Sequence, residues 1–195
     1  MNRPRAVVYL RDAAVTIGTV LVVGAVLFAA AGVWPPLVAI ESPSMEPTVE
    51  RGDMVAVSGP ERFSGVSADE HGVVTVAAAD GYDRLGGDGD VIVFDPPDRA
   101  GPPIIHRVQF RVVAGENWYD RADASHVGTA DDCAELTACP APHAGYVTKG
   151  DNNDAYDQAT GIAPVVRPSW IEAKAQLHIP ELGWIRLLLA GKALP

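Results

Sequence analysis

Lysine is almost absent from this sequence of 195 residues. Only Lys149, Lys174 and Lys192 occur among 15 basic residues, whereas aspartate and glutamate number 25, and the formal net charge is -10. A nucleic-acid-binding domain carries a basic patch, so the composition argues against that class. Two interpretations of the acidity remain open. An acidic, lysine-poor surface keeps a protein soluble in concentrated salt, and a GC-rich genome produces the same bias; we favour a halophilic, salt-loving source.

Charge of either sign is absent between Asp12 and Glu41, which leaves 28 uncharged residues. About 20 apolar residues are enough for a helix to cross a bilayer. Pro35 and Pro36 cannot continue a helix, so the helical part should end near Trp34. The sequence therefore predicts one transmembrane anchor over residues 13–34.

A cleaved secretory signal is the rival interpretation of this segment. Arg3, Arg5 and Arg11 resemble a basic leader, and residues 28–31 offer small side chains for cleavage. The apolar part of a signal is about 7 to 15 residues long, however, and this run is longer, so we favour a retained anchor. The arginines that precede it predict a cytoplasmic N-terminus at residues 1–12 and a cell-membrane protein whose remaining part is extracytoplasmic.

The part after the anchor, residues 41–195, is long enough for one domain with its own core. Strand-like patterns of β-branched residues occur at 52–57, 90–94 and 104–113. In the last of these a period of two places five side chains on one face: Ile104, His106, Val108, Phe110 and Val112. The predicted fold class is mainly β.

Two stretches between the strands, near residues 59–89 and 115–145, are rich in Gly, Asp and Ala and are predicted to be loop-like insertions. The apolar segment 179–190 is interrupted by Arg186 and is too short to cross a bilayer. It can return to the membrane surface as an interfacial segment, or form a last strand and short helix on the core; both interpretations remain open.

Cysteine occurs only twice, at positions 133 and 139. With His126 and His143 the two cysteines could form a zinc site, but five residues between them are more than the two to four of structural zinc motifs. A disulfide is the favoured interpretation, since an exported domain permits one. Two free thiols are the third alternative.

Three groups of residues could carry chemistry: Ser44 in Ser-Pro-Ser-Met-Glu-Pro-Thr, His106 in its strand, and the aspartates of residues 146–157. A serine hydroxyl needs a base that removes its proton during attack, and a neutral imidazole is such a base. A carboxylate on the other ring nitrogen would fix the tautomer of that imidazole. Each of these residues taken singly is usually structural.

The residues of these segments and their order along the chain resemble those of the type I signal peptidases, in the archaeal and endoplasmic-reticulum branch that uses serine and histidine. The resemblance implies a signal-peptidase-like β catalytic domain in which Ser44 is the nucleophile. His106 stands where bacterial relatives place a catalytic lysine. Lys149-Gly150-Asp151-Asn152-Asn153 is similar to the acidic box of the family.

The resemblance makes Asp157 the favoured residue to orient His106, with Asp151 second and Asp154 third. It also implies an oxyanion hole formed by the backbone amide of Ser44 and the hydroxyl of Ser42. Donors of this kind are worth about 2.7 to 4 kcal/mol each.

The resulting hypothesis is a membrane-anchored serine endopeptidase that cleaves signal peptides from exported preproteins and needs neither metal nor cofactor. Its expected partners are signal peptides, membrane lipid and other translocation-associated membrane proteins. One alternative is a Ser-Lys peptidase that uses Lys149. Another is a non-catalytic membrane-anchored β module that binds exported proteins.

Overall fold

The computed structural model describes residues 5–97 and 99–191. Arg3 and Lys192 lie outside this range. The chain begins with helix α1, Arg5–Ala31. The helix ends at Ala31 because Gly32 adopts a positive φ of 73° and donates its N–H to Phe28 O at 2.7 Å. The predicted end near Trp34 was therefore wrong by three residues.

Helix α1 is long and apolar enough over Val7–Ala31 to cross a membrane, and none of its most apolar stretch is buried in the protein. Its last carbonyls bond to the following domain. The Ala31 oxygen accepts from the Gly59 N–H at 2.8 Å, and Nη1 of Arg62 donates to the oxygens of Ala29 and Ala30 at 2.9 and 3.2 Å. These bonds satisfy carbonyls that a helix end leaves unpaired.

Antiparallel strands dominate the rest of the described chain, which confirms the mainly β class. The strands are β1 (Leu37–Ala39), β2 (Met54–Ser58), β3 (Asp83–Arg84), β4 (Gly87–Asp88), β5 (Val91–Phe94), β6 (Ile104–Val112), β7 (Gly145–Lys149) and β8 (Ile171–Ile179). Six of them form one sheet in the order β1-β2-β8-β5-β6-β7, and β3 pairs with β4. The described chain also contains two short helices, α2 (Asp157–Thr160) before β8 and α3 (Gly183–Leu189) after it.

Strands β2, β5 and β6 lie where the alternating patterns predicted them. The five alternate positions of β6 are all buried, as expected. They do not share one cluster, because a bulge shifts the β6–β7 register between Val108 and Phe110. Val108 packs with Ile104, whereas Phe110 packs with Val112. Strand β8 joins β2 to β5 in the centre of the sheet, and the sequence patterns had not predicted it over its length.

The two glycine-rich stretches contain little regular structure beyond short 3-10 turns and the β3–β4 hairpin. The second one nevertheless packs a core of its own around the fully buried Trp118, whose Nε1 donates to Ala138 O at 2.8 Å. The Phe110 and Tyr156 rings lie 6.1 and 6.3 Å from the Trp118 ring. In the same stretch, Cys133 and Cys139 form a disulfide, which is the favoured of the three alternatives.

The C-terminal segment forms the end of β8 and helix α3, which is the second of its two interpretations. Leu187 is buried against β1 and β2, where it packs with Ala39 and Met54. The opposite side of α3 exposes Ile185 and Leu188. Contact of that side with a membrane stays a prediction.

Replacing Trp118 by alanine should remove the centre of the second core. We expect Trp118→Ala to lower the free energy of unfolding by about 3 to 5 kcal/mol, since a fully buried ring leaves a cavity. Val113→Ala is the control, because Val113 is 58% exposed and its loss should cost less than about 0.5 kcal/mol. Chemical denaturation of the full chain in detergent measures both, and equal values would contradict this account.

Candidate active site

Ser44 lies on the loop that connects β1 to β2. The base of this loop is closed by backbone bonds at 2.9 Å, from Ile40 N to Asp53 O and from Gly52 N to Ile40 O. Met45 and Val49 are fully buried beneath it and join the core cluster of the sheet. Because the side chains of Met45 and Val49 anchor the loop, the half-buried Ser44 is held in place although it belongs to no strand.

His106 is placed by the centre of β6, directly opposite Ile92 of β5. Its Nε2 lies 3.0 Å from the Oγ of Ser44, and its Nδ1 lies 2.7 Å from the Oδ2 of Asp157. The side chains of His106 and Asp157 are 5% and 0% exposed. An ionised carboxylate only accepts, so Nδ1 of a neutral ring donates to Asp157 and Nε2 accepts from the Ser44 hydroxyl.

The hydroxyl of Ser42 lies next to that of Ser44, with 3.1 Å between the two Oγ atoms. The single hydroxyl hydrogen of Ser44 is directed to His106 in the tautomer just described. Ser42 must then be the donor of the Ser42–Ser44 bond. Its hydroxyl therefore already points to the place from which the Ser44 oxygen would attack.

Asp157 is held by two residues that the sequence patterns did not identify. Thr148 Oγ1 donates to the same Oδ2 of Asp157 at 2.7 Å. Gln158 fixes Thr148 in turn: its Oε1 accepts from the Thr148 N–H at 2.9 Å and its Nε2 donates to Thr148 Oγ1 at 3.3 Å. Within the described residues, the buried Oδ1 of Asp157 has no hydrogen-bond partner. The carboxylate is thus held through one oxygen only.

Asn152 holds the Ser44 loop against the end of β7, and Gly150 leaves room for this contact. Asn152 donates its N–H to Ser44 O at 2.9 Å and its Nδ2 to Pro43 O at 3.1 Å. A Cβ at Gly150 would lie 2.5 Å from Ser44 O and 2.9 Å from His106 Nε2, so only glycine fits between the two residues. Both residues belong to the acidic-box motif, but the motif alone did not show what they contact.

Asp151, the second candidate to orient His106, contacts Arg107 instead. Nε and Nη2 of Arg107 donate to the two oxygens of Asp151 at 2.8 and 2.7 Å. Burial raises the pKa of Asp151, but hydrogen bonds from Arg107 and Thr48 and the charge of Arg107 outweigh it, so the pKa is lowered overall. Arg107 also donates to the carbonyls of Gly87 and Gly89. Asp151 is thereby placed in a partly buried ion pair rather than at the imidazole.

The remaining candidates lie apart from Ser44. Asp154, the third carboxylate, is exposed, and its backbone oxygen accepts from His126 Nδ1. Nζ of Lys149 donates to the carbonyls of Gly150 and Asn153 at 3.2 and 2.8 Å. Lys174 is fully buried beside Asp90, with its Nζ 3.3 Å from that carboxylate. No described lysine therefore bonds to the Ser44 hydroxyl.

A cleft of about 550 Å³ opens beside Ser44 and His106. One wall is formed by residues 38–42 and the other by residues 102–106, with Ile162 and Val93 adding apolar surface. Among the described residues, no three His, Cys, Asp or Glu side chains are grouped so that they could hold a metal ion. The arrangement is that of a hydroxyl nucleophile, a base and an orienting carboxylate next to a peptide-sized cleft.

A family model described as "Signal peptidase, peptidase S26" matches residues 11–110. The chain belongs to this signal peptidase family. The match covers most of α1, the loop that carries Ser44, and His106, and it confirms the family resemblance of the sequence. The signal peptidase complex catalytic subunit sec11 of Schizosaccharomyces pombe is 29% identical over 157 residues, which are 79% of this chain and 67% of that protein. The two matches support the archaeal and endoplasmic-reticulum type of signal peptidase I.

The Asp151–Arg107 pair gives a pH-dependent stability that can be measured. Asp151→Asn should lower the free energy of unfolding by about 3 kcal/mol at pH 7, because it leaves a buried guanidinium without its partner. The pKa of Asp151 is below its ordinary value of 3.8 in the folded protein. The stabilisation is therefore fully present above that value and is lost as the pH falls through the lowered pKa.

Denaturation of the two full-length proteins in detergent, from neutral pH to about pH 2, follows this difference. The two stabilities should converge at the acid end of the range. A difference that stays constant across it would show that the charge of Asp151 is not involved.

Proposed function

We propose that this chain is a membrane-anchored signal peptidase I, a serine endopeptidase that removes N-terminal signal peptides from exported preproteins. The observation that carries the proposal is the continuous hydrogen-bonded row from Ser44 through His106 to Asp157, which opens on the cleft. Membership of the signal peptidase family supports the substrate class.

In the first step, His106 Nε2 takes the proton of Ser44 as its Oγ attacks the scissile carbonyl carbon. The imidazolium that forms is stabilised by Asp157, which also keeps the ring in the tautomer that can accept this proton. His106 then gives the proton to the leaving amine, and the signal peptide remains as an ester on Ser44. Water, deprotonated by the same histidine, hydrolyses this ester in the second half of the reaction.

The negative charge on the tetrahedral intermediate needs donors close to Ser44. The Ser44 backbone N–H and the Ser42 hydroxyl are the two candidates. Ser42 donates to the Ser44 oxygen before attack and is free to turn to the developing oxyanion once that oxygen is bonded to carbon. Donors in such a position act on charge that exists only in the transition state.

Within residues 5–97 and 99–191, the sheet has two backbone edges without a pairing strand, and an extended peptide could bind at either. Strand β1 is the first of these edges and pairs with β2 on its other side. At the beginning of β6, residues 104–106 pair with β5, whereas β7 pairs only from Arg107 onward. Both edges line the cleft that contains Ser44. A substrate segment bound as an added strand would place its side chains against the apolar walls. The family resemblance implies small residues such as alanine before the scissile bond.

Helix α1 would hold this site at the membrane surface, with the N-terminus cytoplasmic and the catalytic domain outside. The length and composition of α1 support the anchor, and the arginines before it support the orientation. Since the sec11 relative is named as the subunit of a complex, other translocation-associated membrane proteins are further candidate partners. A halophilic archaeal source stays a prediction from composition.

Removal of the nucleophile or the base should abolish cleavage of a preprotein in detergent. We expect Ser44→Ala and His106→Ala each to reduce kcat by roughly 10⁴-fold or more, since both take part in every bond-making step. Lys149→Met is the matched control and should keep most of the activity, because the Lys149 ammonium donates to the backbone carbonyls of Gly150 and Asn153 and, among the described residues, makes no hydrogen bond to Ser44 or His106.

Full cleavage by His106→Ala would refute the mechanism, and loss of activity in Lys149→Met alone would favour a Ser-Lys peptidase. A serine-directed covalent probe separates both from the binding-module alternative. That module would neither react with the probe nor cleave a preprotein.

Asp157→Asn should preserve the shape of the site but allow the wrong tautomer of His106. We expect a loss of about 10⁴-fold in kcat with little change in KM. Asp154→Asn is the matched control in the same loop and should behave as wild type, since its carboxylate is exposed. If the Asp157 variant kept more than about a tenth of the activity, another group would have to orient the imidazole.

A further inference from the structure

A second cavity, of about 670 Å³, lies away from Ser44 at the end of the apolar helix. Gly32, the residue that terminates α1, lines it together with Arg62, His71, Arg167 and Ser169; Glu61 lies at the same cavity and is the one carboxylate in its described lining. In a chain with a formal charge of -10, a cavity with two guanidinium groups is unusual. Its chemistry suits an anion.

The two arginines have hydrogen-bonding capacity left for a ligand. Arg62 uses Nη1 for the last carbonyls of α1, while its Nη2 has no partner in the described part of the chain. Arg167 is exposed and stacks over the Trp170 ring at 5.6 Å, and none of the described carboxylates pairs with it. Guanidinium groups bind phosphate oxygens well because their N–H groups form a planar fork.

The position of the cavity indicates where the phosphate would come from. Arg62 bonds directly to Ala29 and Ala30, so the cavity lies at the level where α1 would leave the bilayer. The loop that carries Arg62 also exposes two apolar side chains, Phe63 at 61% and Val66 at 105%. A phospholipid whose headgroup entered the cavity would leave its acyl chains beside these side chains and α1.

We propose that this cavity binds the phosphate-bearing headgroup of an anionic membrane phospholipid, through Arg62 and Arg167. The proposal rests on the proposed anchoring by α1 and not on the peptidase chemistry. Bound lipid would fix the height of the domain above the membrane, because Arg62 joins the headgroup to the end of the anchor. The occupant differs from the signal peptide, which binds at the other cleft.

The test uses the full chain as Ser44→Ala, so that no result depends on catalysis. The protein is reconstituted in a bilayer of equal parts phosphatidylglycerol and phosphatidylcholine, and the lipids that remain bound after gentle extraction are measured by native mass spectrometry. We expect phosphatidylglycerol to be retained preferentially. Arg62→Gln and Arg167→Gln should each weaken its retention about fivefold, and the double variant should lose the preference.

Arg121→Gln is the control, because this arginine is paired with Glu116 and does not line the cavity. Vesicle flotation measures anchoring separately, and circular dichroism confirms that each variant is folded. Equal retention of both lipids, or an unchanged preference in the folded double variant, would overturn the proposal. Complete displacement of the lipid by excess inorganic phosphate would also overturn it, since the site would then bind the free anion.

Discussion

Two consecutive residues of β6, His106 and Arg107, each bind one aspartate, and the candidate active site depends on this pair of contacts. Neighbouring residues of a strand point to opposite faces, so the two aspartates must reach the strand from different sides. Asp151 reaches Arg107 and Asp157 reaches His106, through bonds of 2.7 to 2.8 Å. The segment between them is fixed at one end by an ion pair and at the other by a hydrogen bond.

This constraint extends to Ser44. Asn152 belongs to the same segment and bonds to the backbone of Pro43 and Ser44. Gly150 lets that segment approach His106 closely. Burying an ion pair often contributes little net stability, because both groups lose their hydration. Here its effect is positional: the Arg107–Asp151 pair holds the residues that set the distance between Ser44 and His106.

The sequence motifs around Ser44 and His106 predicted these two site residues. The alternation of β-branched residues predicted β2, β5 and β6. The choice between Asp151 and Asp157 depended on how residues 150–157 turn after β7, which no local pattern contains. Strand β8 alternates polar and apolar residues, but its polar position Lys174 is fully buried, which such an alternation does not predict. Thr148 and Gln158 carry no local signal, because a hydroxyl and an amide become informative only when their partners are known. The division at the membrane, with residues 1–12 inside and 41–195 outside, stays a prediction.

Three hydrogen bonds join the last turn of α1 to Gly59 and Arg62 and restrain the joint between helix and domain. The apolar stretch Val7–Ala31 is 25 residues long, about 37 Å at the helical rise, whereas the hydrocarbon core is about 30 Å thick. In a membrane such a helix tilts, and its tilt varies with bilayer thickness. Because these bonds restrain the joint, the cleft would turn with the helix. Bilayer thickness would thereby set the angle at which the protein meets an emerging chain.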